Sequence, residues 1–140
     1  MSDLASRQAA VVAALVADAP VPPGFSADLV RATRAALLRK RAGEVAHVWP
    51  LLAASLGPQW TAKFAEWAGG RAPNGSLRDG WDFARSLGSS LGPLASAELA
   101  MREAGWRYDG TRAPRRRRFP AVATVNGARA IQLFGRISTR

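Results

Sequence analysis

The sequence predicts a mainly α fold, a compact four- to five-helix bundle followed by a short C-terminal β-hairpin. Three observations carry that expectation. Leu38, Ala42, Val45 and Trp49 recur at spacings of four, three and four, the period of one helix face. Prolines and glycines cut residues 1–108 into helix-length segments. Near the end, Asn126-Gly127 separates two short apolar-rich runs, and Asn-Gly is the favoured pair of a type I′ hairpin turn because both residues accept positive φ.

Taken in order, Ser2 caps a first helix from Asp3 to about Ala17, with Leu4, Ala9, Val11, Val12, Leu15 and Val16 as its apolar side. Whether that helix is core or a loosely docked arm stays open. Asp18 to Phe25, with three prolines and a glycine, is a rigid connector. Ser26 caps the main helix, about Ala27 to Trp49, with Asp28 at the positive end of its dipole. Arg31, Arg34, Arg41 and Glu44 fall largely off its apolar stripe. Pro50 has no N–H to donate and disfavours helical geometry at Trp49, so the chain bends into a short helix ending at Gly57. Pro58 opens a third helix in which Trp60, Phe64 and Trp67 make one aromatic face, stopped by Gly69-Gly70 and the turn Arg71 to Gly75. Ser76 caps a helix from Leu77 to about Leu87, with Leu77, Trp81, Phe83 and Leu87 facing the core. Pro93 opens the last helix, through about Trp106, with Leu94, Leu99, Met101 and Trp106 as apolar positions. A hairpin of about Ala121 to Phe134 closes the chain, and it needs something to dock on. The domain plan is thus a helical bundle over residues 1–108, a basic connector over 109–119 and a hairpin tail over 120–140.

Composition narrows the chemistry. There is no Cys, so neither a disulfide framework nor a thiolate metal site is available. His47 is the single histidine, which removes the usual His-rich zinc or iron sites within this chain and leaves a Ser nucleophile without a base in any motif. It reads as a surface side chain. No apolar run approaches the roughly 20 residues that span a bilayer, and the N-terminus lacks the charged region and cleavage site of a signal peptide. A cytoplasmic protein with no membrane contact is the expectation. The net charge of +10 is unevenly placed. Residues 1–106 hold 11 Lys and Arg against 9 Asp and Glu, whereas residues 107–140 hold 9 Arg against Asp109 alone. The body is nearly neutral and the tail carries the charge.

No catalytic constellation stands out, and no cofactor or metal is expected. Asp79 and Asp82 could pair for acid–base work, but they fit better as solvating groups of their helix or partners of Arg78 and Arg85. Gly69-Gly70 lacks the Gly-Lys-Ser/Thr continuation of a phosphate loop. The five tryptophans suit core positions, with Trp106, at the junction with the basic tail, the best candidate for an exposed partner anchor. Arg112, Arg115, Arg116, Arg117 and Arg118 are the candidate binding residues, and three readings stay open. They could neutralise phosphates, without reading bases; they could meet an acidic peptide or enzyme surface; or they could form a solvated linker. The hairpin adds a second candidate, since an exposed edge strand can capture an extended peptide through main-chain hydrogen bonds; an edge simply docked on the bundle is the other reading.

Several of these elements together resemble a known family. LLRKRAGEVAHVWPLLAASLG, the aromatic-rich WTAKFAEW, the Leu77, Gly80 and Phe83 element and the Leu99, Ala100 and Glu103 spacing resemble the HvfC/BufC-type helical domain, a family labelled DNA-binding, over about residues 27–106. The resemblance implies a partner role beside multinuclear-iron, barrel-fold enzymes that modify ribosomally made peptides; the methanobactin-biosynthesis partner subunit is similar. In that setting the iron and the oxidation belong to the other subunit. This chain departs from the longer partners of that family in its short tail, residues 107–140. The function expected is therefore a non-catalytic partner or substrate-presenting module that binds protein or peptide through the basic tail and hairpin. The alternative is a sequence-nonspecific nucleic-acid-binding protein using the Arg-rich tail.

Overall fold

The long central helix starts where the sequence places its cap. In a computed structural model that describes residues 2–140, the Leu29 N–H donates to Ser26 Oγ at 3.3 Å and the helix runs Ala27–Val48. In chain order the elements are α1 (Ser2–Val16), α2 (Ala27–Val48), α3 (Pro50–Leu56), α4 (Trp60–Ala68), α5 (Ser76–Leu87), α6 (Pro93–Gly105), β1 (Trp106–Arg107), β2 (Arg115–Arg116), β3 (Ala121–Val125), β4 (Ala128–Leu133) and β5 (Arg136–Thr139). The mainly α architecture with a small C-terminal antiparallel sheet is the one expected. The cap assigned to Ser2 rests on a side chain outside the described residues. The described residues fall into two units, one made of residues 2–44 and Pro58–Asn74, the other of Val45–Gly57 and Gly75–Arg140.

In the first unit, α4 packs on α2 through aromatic rings. Trp60 and Phe64 are buried with ring centroids 5.3 Å apart, and the Trp60 indole N–H donates to the Ala42 carbonyl at 3.1 Å. A 3₁₀ turn, Gly57–Gln59, takes the place of the helical start expected at Pro58. Arg41, expected off the apolar stripe, is buried: its guanidinium lies 5.9 Å from the Phe64 ring centroid and donates to the Arg71 carbonyl at 2.8 Å. It thereby ties the turn after α4 to α2. α1 differs from its expected packing. Leu4 and Val12 are exposed and Ala14 is its buried residue. The attachment is polar instead, because Arg34 of α2 donates to the Ala14 carbonyl and pairs with Asp18 at the C-terminal end of α1, where a cation suits the dipole.

In the second unit, the bend at Pro50 is the organising feature. Trp49 sits at the N-cap of α3 and has no side-chain oxygen to satisfy the orphan N–H groups of that helix. Glu98 of α6 supplies the acceptor, taking the Leu52 N–H at 2.7 Å. Four residues on, Arg102 donates to the Val48 carbonyl at 2.7 Å and lies 4.8 Å from the Trp49 ring centroid. One side chain of α6 thus meets the positive end of α3, and the next turn meets the negative end of α2. Burial pushes the Glu98 carboxyl above its ordinary range, against the Leu52 and Leu51 N–H groups and the Arg102 charge, which pull it down. The Trp49 indole is fully buried, donates to the Leu77 carbonyl at 3.0 Å and packs edge-on against Trp81. Gly80 faces it with no room to spare: a Cβ there would lie 2.2 Å from the indole.

Three expected details of this unit change. Gly75, not Ser76, is the N-cap of α5, and its φ of 89° needs glycine. Asp79 is buried rather than solvated, while Asp82 accepts the Tyr108 hydroxyl at 2.9 Å. Leu94, in the first turn of α6, is exposed. The sheet also goes beyond the hairpin. Asn126-Gly127 makes the expected two-residue turn, both residues at positive φ, pairing Val125 with Ala128. Phe134-Gly135 then makes a second turn of the same kind, so β5 pairs with β4 from Leu133↔Arg136 to Ala130↔Thr139. Ala123, Val125 and Ala130 rest on Ala100, Met101 and Ala104 of α6, and Ile137 closes on Gly105. Among the described residues no helix is long and apolar enough to cross a membrane.

Gly80→Ala should destabilise the chain by about 3 kcal/mol or more, because a rigid buried indole has to move; thermal unfolding measures it. Glu98→Leu strands the Leu52 N–H and should cost about 1–3 kcal/mol, and Glu98→Gln, which keeps an oxygen there, less; denaturant midpoints at neutral pH separate the two. Burial, and next the Asp82 bond, push the Tyr108 hydroxyl up to about 12. The unfolded chain releases that proton near pH 10, so the stabilisation is intact below 10 and is lost as pH rises toward 12. Tyr108 is the single tyrosine, so tyrosinate absorbance reads it directly, and Tyr108→Phe should remove that alkaline loss.

Candidate functional site

α6 ends at Gly105, and the chain leaves it as a narrow two-stranded ribbon carrying most of the predicted basic residues. β1 pairs antiparallel with β2, Trp106 opposite Arg116 and Arg107 opposite Arg115. Trp106 is half-buried, with the Arg116 guanidinium 5.3 Å from its ring centroid. Between the strands, Asp109 Oδ1 accepts the N–H groups of Arg112 at 2.8 Å and Thr111 at 2.9 Å, a turn built on a side chain. Those bonds, the Arg112 N–H first, hold its carboxyl down to about 2.

The arginines divide by role. Arg117 is committed to structure: its Nε donates to the carbonyls of Glu103 at 3.0 Å and Trp106 at 3.1 Å, and its N–H to the Gly105 carbonyl at 2.9 Å. It therefore satisfies the C-terminal end of α6. The side chains of Arg112, Arg115, Arg116 and Arg118 are exposed. From Gly110 to Arg140 there is no Asp or Glu to neutralise them.

Beside this ribbon lies a joint that the sequence did not announce. Arg85 of α5 holds Glu103 of α6 with two nitrogens, Nε at 2.8 Å and Nη2 at 3.0 Å, and also donates to the Tyr108 carbonyl at 2.9 Å. The Trp81 indole N–H donates to the same carboxylate at 2.8 Å. A two-pronged guanidinium–carboxylate pair with an added indole donor is strong and directional, and with the Tyr108 bond it fixes the end of β1 on α5 and α6. Arg85 and Glu103 lie on different helices, 18 residues apart, so periodicity holds no trace of their pairing.

The joint forms one end of a groove of about 530 Å³. Ala84, Leu91 and Leu99 line it with apolar surface, Arg85, Glu103 and Arg117 stand at the polar end, and β3 forms a wall from Val122 to Asn126. The order of the sheet is β3-β4-β5, which leaves one long edge of β3 unpaired. The turn pairs Val125 with Ala128, so by the alternation of antiparallel bonding the N–H groups of Thr124 and Val122 point to that open edge. Asn126 anchors the far end, donating to the Gly88 carbonyl at 2.8 Å. The edge is thus held rigid beside a part-apolar channel with cations at one end.

Of the predicted residues, the structure brings Arg117 to the groove and places Trp106, Arg115 and Arg116 on the adjoining ribbon, while Arg112 lies in the Asp109 turn. Arg85 and Glu103 are additions, and the hairpin edge expected as a second candidate is the open edge of β3. Two sites set aside in sequence are also placed: His47 is exposed, and among the described residues no three His, Asp or Glu side chains cluster as a metal would need.

The chain is similar to a UPF0276 protein of Streptomyces avermitilis, 34 % identical over 131 residues, or 93 % of this chain. It spans 27 % of the length of that relative. No solved structure matches. The sequence model of the family described as SCO6045-like, C-terminal domain matches residues 5–89. With more than half of its length covered, the chain belongs to the SCO6045-like C-terminal domain family.

Proposed function

We propose that this chain is a non-catalytic partner module that holds an extended, acidic peptide along the free edge of β3 and presents it to a peptide-modifying multinuclear-iron enzyme. The observation that carries the reading is the groove itself, where an unpaired strand edge runs beside apolar side chains and ends among arginines. An extended peptide adds there as a fourth strand, main-chain bonds supply affinity, and alternate side chains enter the channel. Arg112, Arg115, Arg116 and Arg118, with no carboxylate between Gly110 and Arg140, favour acidic residues and speed encounter. The relative, of which this chain spans 27 %, and a family described as a C-terminal domain, support a module that works beside other protein. The HvfC/BufC resemblance supplies the class of enzyme, in which the metal and the oxidation belong to the partner.

The second reading, nucleic-acid binding, has the same exposed arginines in its favour. It differs in being indifferent to the β3 edge and steeply salt-dependent. Co-purification of a tagged copy from its own cells, with mass spectrometry, metal analysis and a nuclease-treated control, separates the two. The expected outcome is one iron-containing enzyme with its peptide, insensitive to nuclease. Thr124→Pro removes an N–H from the open edge and leaves the β3–β4 ladder intact, so it should lower peptide retention about tenfold or more without unfolding the chain. Recovery of nuclease-sensitive nucleic acid alone, unchanged in Thr124→Pro, would sink the proposal.

A further inference from the structure

The sheet has two faces besides the β3 edge that walls the groove. The inner face packs on α6. On the other side the register sets Val122 beside Ile131 and Ser138, Thr124 beside Arg129, and Leu133 beside Arg136. The Arg129 and Arg140 main chains also bond to each other, at 3.0 Å through the Arg140 N–H. That outer face therefore presents three arginines among aliphatic side chains, and Val122 and Leu133 are more than half exposed.

Phe134 marks the end of this face. It occupies a position with φ 49° in a two-residue turn, where Asn or Gly is favoured and a bulky aromatic is a genuine outlier. It is also 90 % exposed. The residue is unfavourable both for its backbone conformation and for its hydration, and local folding gives no reason to keep it. Strain and exposed apolar surface at one residue point to a contact made elsewhere. A concavity of about 520 Å³ adjoins it, lined by Ile131, Leu133, Phe134, Arg136, Ser138 and Arg140.

We infer that the outer face is a second docking surface, with Phe134 as its anchor, for an acidic protein surface that offers an aliphatic or aromatic side chain between carboxylates. Charge complementarity selects the sign, since the sheet and its turns carry Arg129, Arg136 and Arg140 and no acid. The aliphatic floor selects protein over nucleic acid, which would want successive aromatic platforms. Three strands about 4.8 Å apart and about five residues long give a face of roughly 250 Å², well below the ~800 Å² per partner of a standard interface. Binding through this face alone is expected to be weak, with electrostatics acting mainly on the rate of encounter. The inference does not depend on a peptide at β3.

The test uses the full chain and a fluorescent synthetic peptide in which Asp and Glu flank a central Leu-Phe pair, read by anisotropy, with an oligo-dT strand and anionic phosphatidylserine vesicles as the other probes. Phe134→Asn suits the turn better than the native residue, so lost binding cannot be assigned to lost folding. Measured in the Thr124→Pro chain, whose β3 edge is blocked, the expected results are peptide binding weakened about tenfold by Phe134→Asn with an equal or higher unfolding temperature, and a similar loss in Arg136→Glu/Arg140→Glu. Thr124→Pro reports on the edge and Phe134→Asn on the face, so the two ideas fail separately. Peptide binding that is absent in the native chain, or unchanged by Phe134→Asn, overturns the inference. So does a response of the oligonucleotide or the vesicles, in place of the peptide, to these substitutions.

Discussion

The second unit depends on a large ring held at a place where a helix is made to break. Proline at position 50 forces the bend, but a bend alone leaves exposed helix ends and a hole. The Trp49 indole fills the hole, and Gly80 is glycine because the indole leaves a side chain no space. Glu98 and Arg102, one turn apart on α6, then satisfy the two helix ends that the proline created. Each part has meaning only with the others. Without Gly80 the ring could not seat, and without the Glu98 and Arg102 side chains the helix ends would be left unsatisfied, at about 1–3 kcal/mol for each group stranded.

The same helix carries the sheet, by a different means. Ala100, Ala104 and Gly105 are small, so β3, β4 and β5 approach α6 closely, with Ala123, Ala130 and Ile137 completing the contact. Small side chains bury little apolar area each, and an isolated hairpin is marginal. The sheet is therefore secured at its margins too. Asn126 bonds to Gly88, and Gln132, buried in β4, with its amide oriented to satisfy both neighbours, donates to the Phe119 carbonyl at 2.8 Å and accepts the Gly135 N–H at 3.1 Å. Those polar ties fix both turns, which is what keeps the β3 edge straight and open.

Local signals were the ones legible in the sequence. The period of α2, the Ser26 cap, the break at Pro50 and the Asn126-Gly127 turn are each written in a few adjacent residues, and each stands as expected. The fifth strand was missed because its turn begins with Phe134, a residue that does not announce positive φ; Gly135 was the available signal. Charge is normally exposed, so the sequence puts Arg41 and Asp79 in solvent, whereas Arg41 reaches the Arg71 carbonyl and Asp79 lies on the buried side of α5. Pairings across long separations, Arg85 with Glu103 and Glu98 with Leu52, leave no mark in any window of sequence. The joint at the polar end of the groove is made of these, so the sequence shows the cations, Trp106 and the hairpin edge but not what holds them together.

Those cations are not one patch. A run of four arginines, Arg115 to Arg118, reads in sequence as a single charged stretch, yet folding assigns its members different work. Arg117 turns inward to the carbonyls that end α6, and Arg116 lies along Trp106. Antiparallel pairing sets Arg115 opposite Arg107, an arrangement of like charges that costs free energy unless an anion lies between or beside them. In the proposed peptide complex, this ribbon is where an acidic partner would bring the compensating charge.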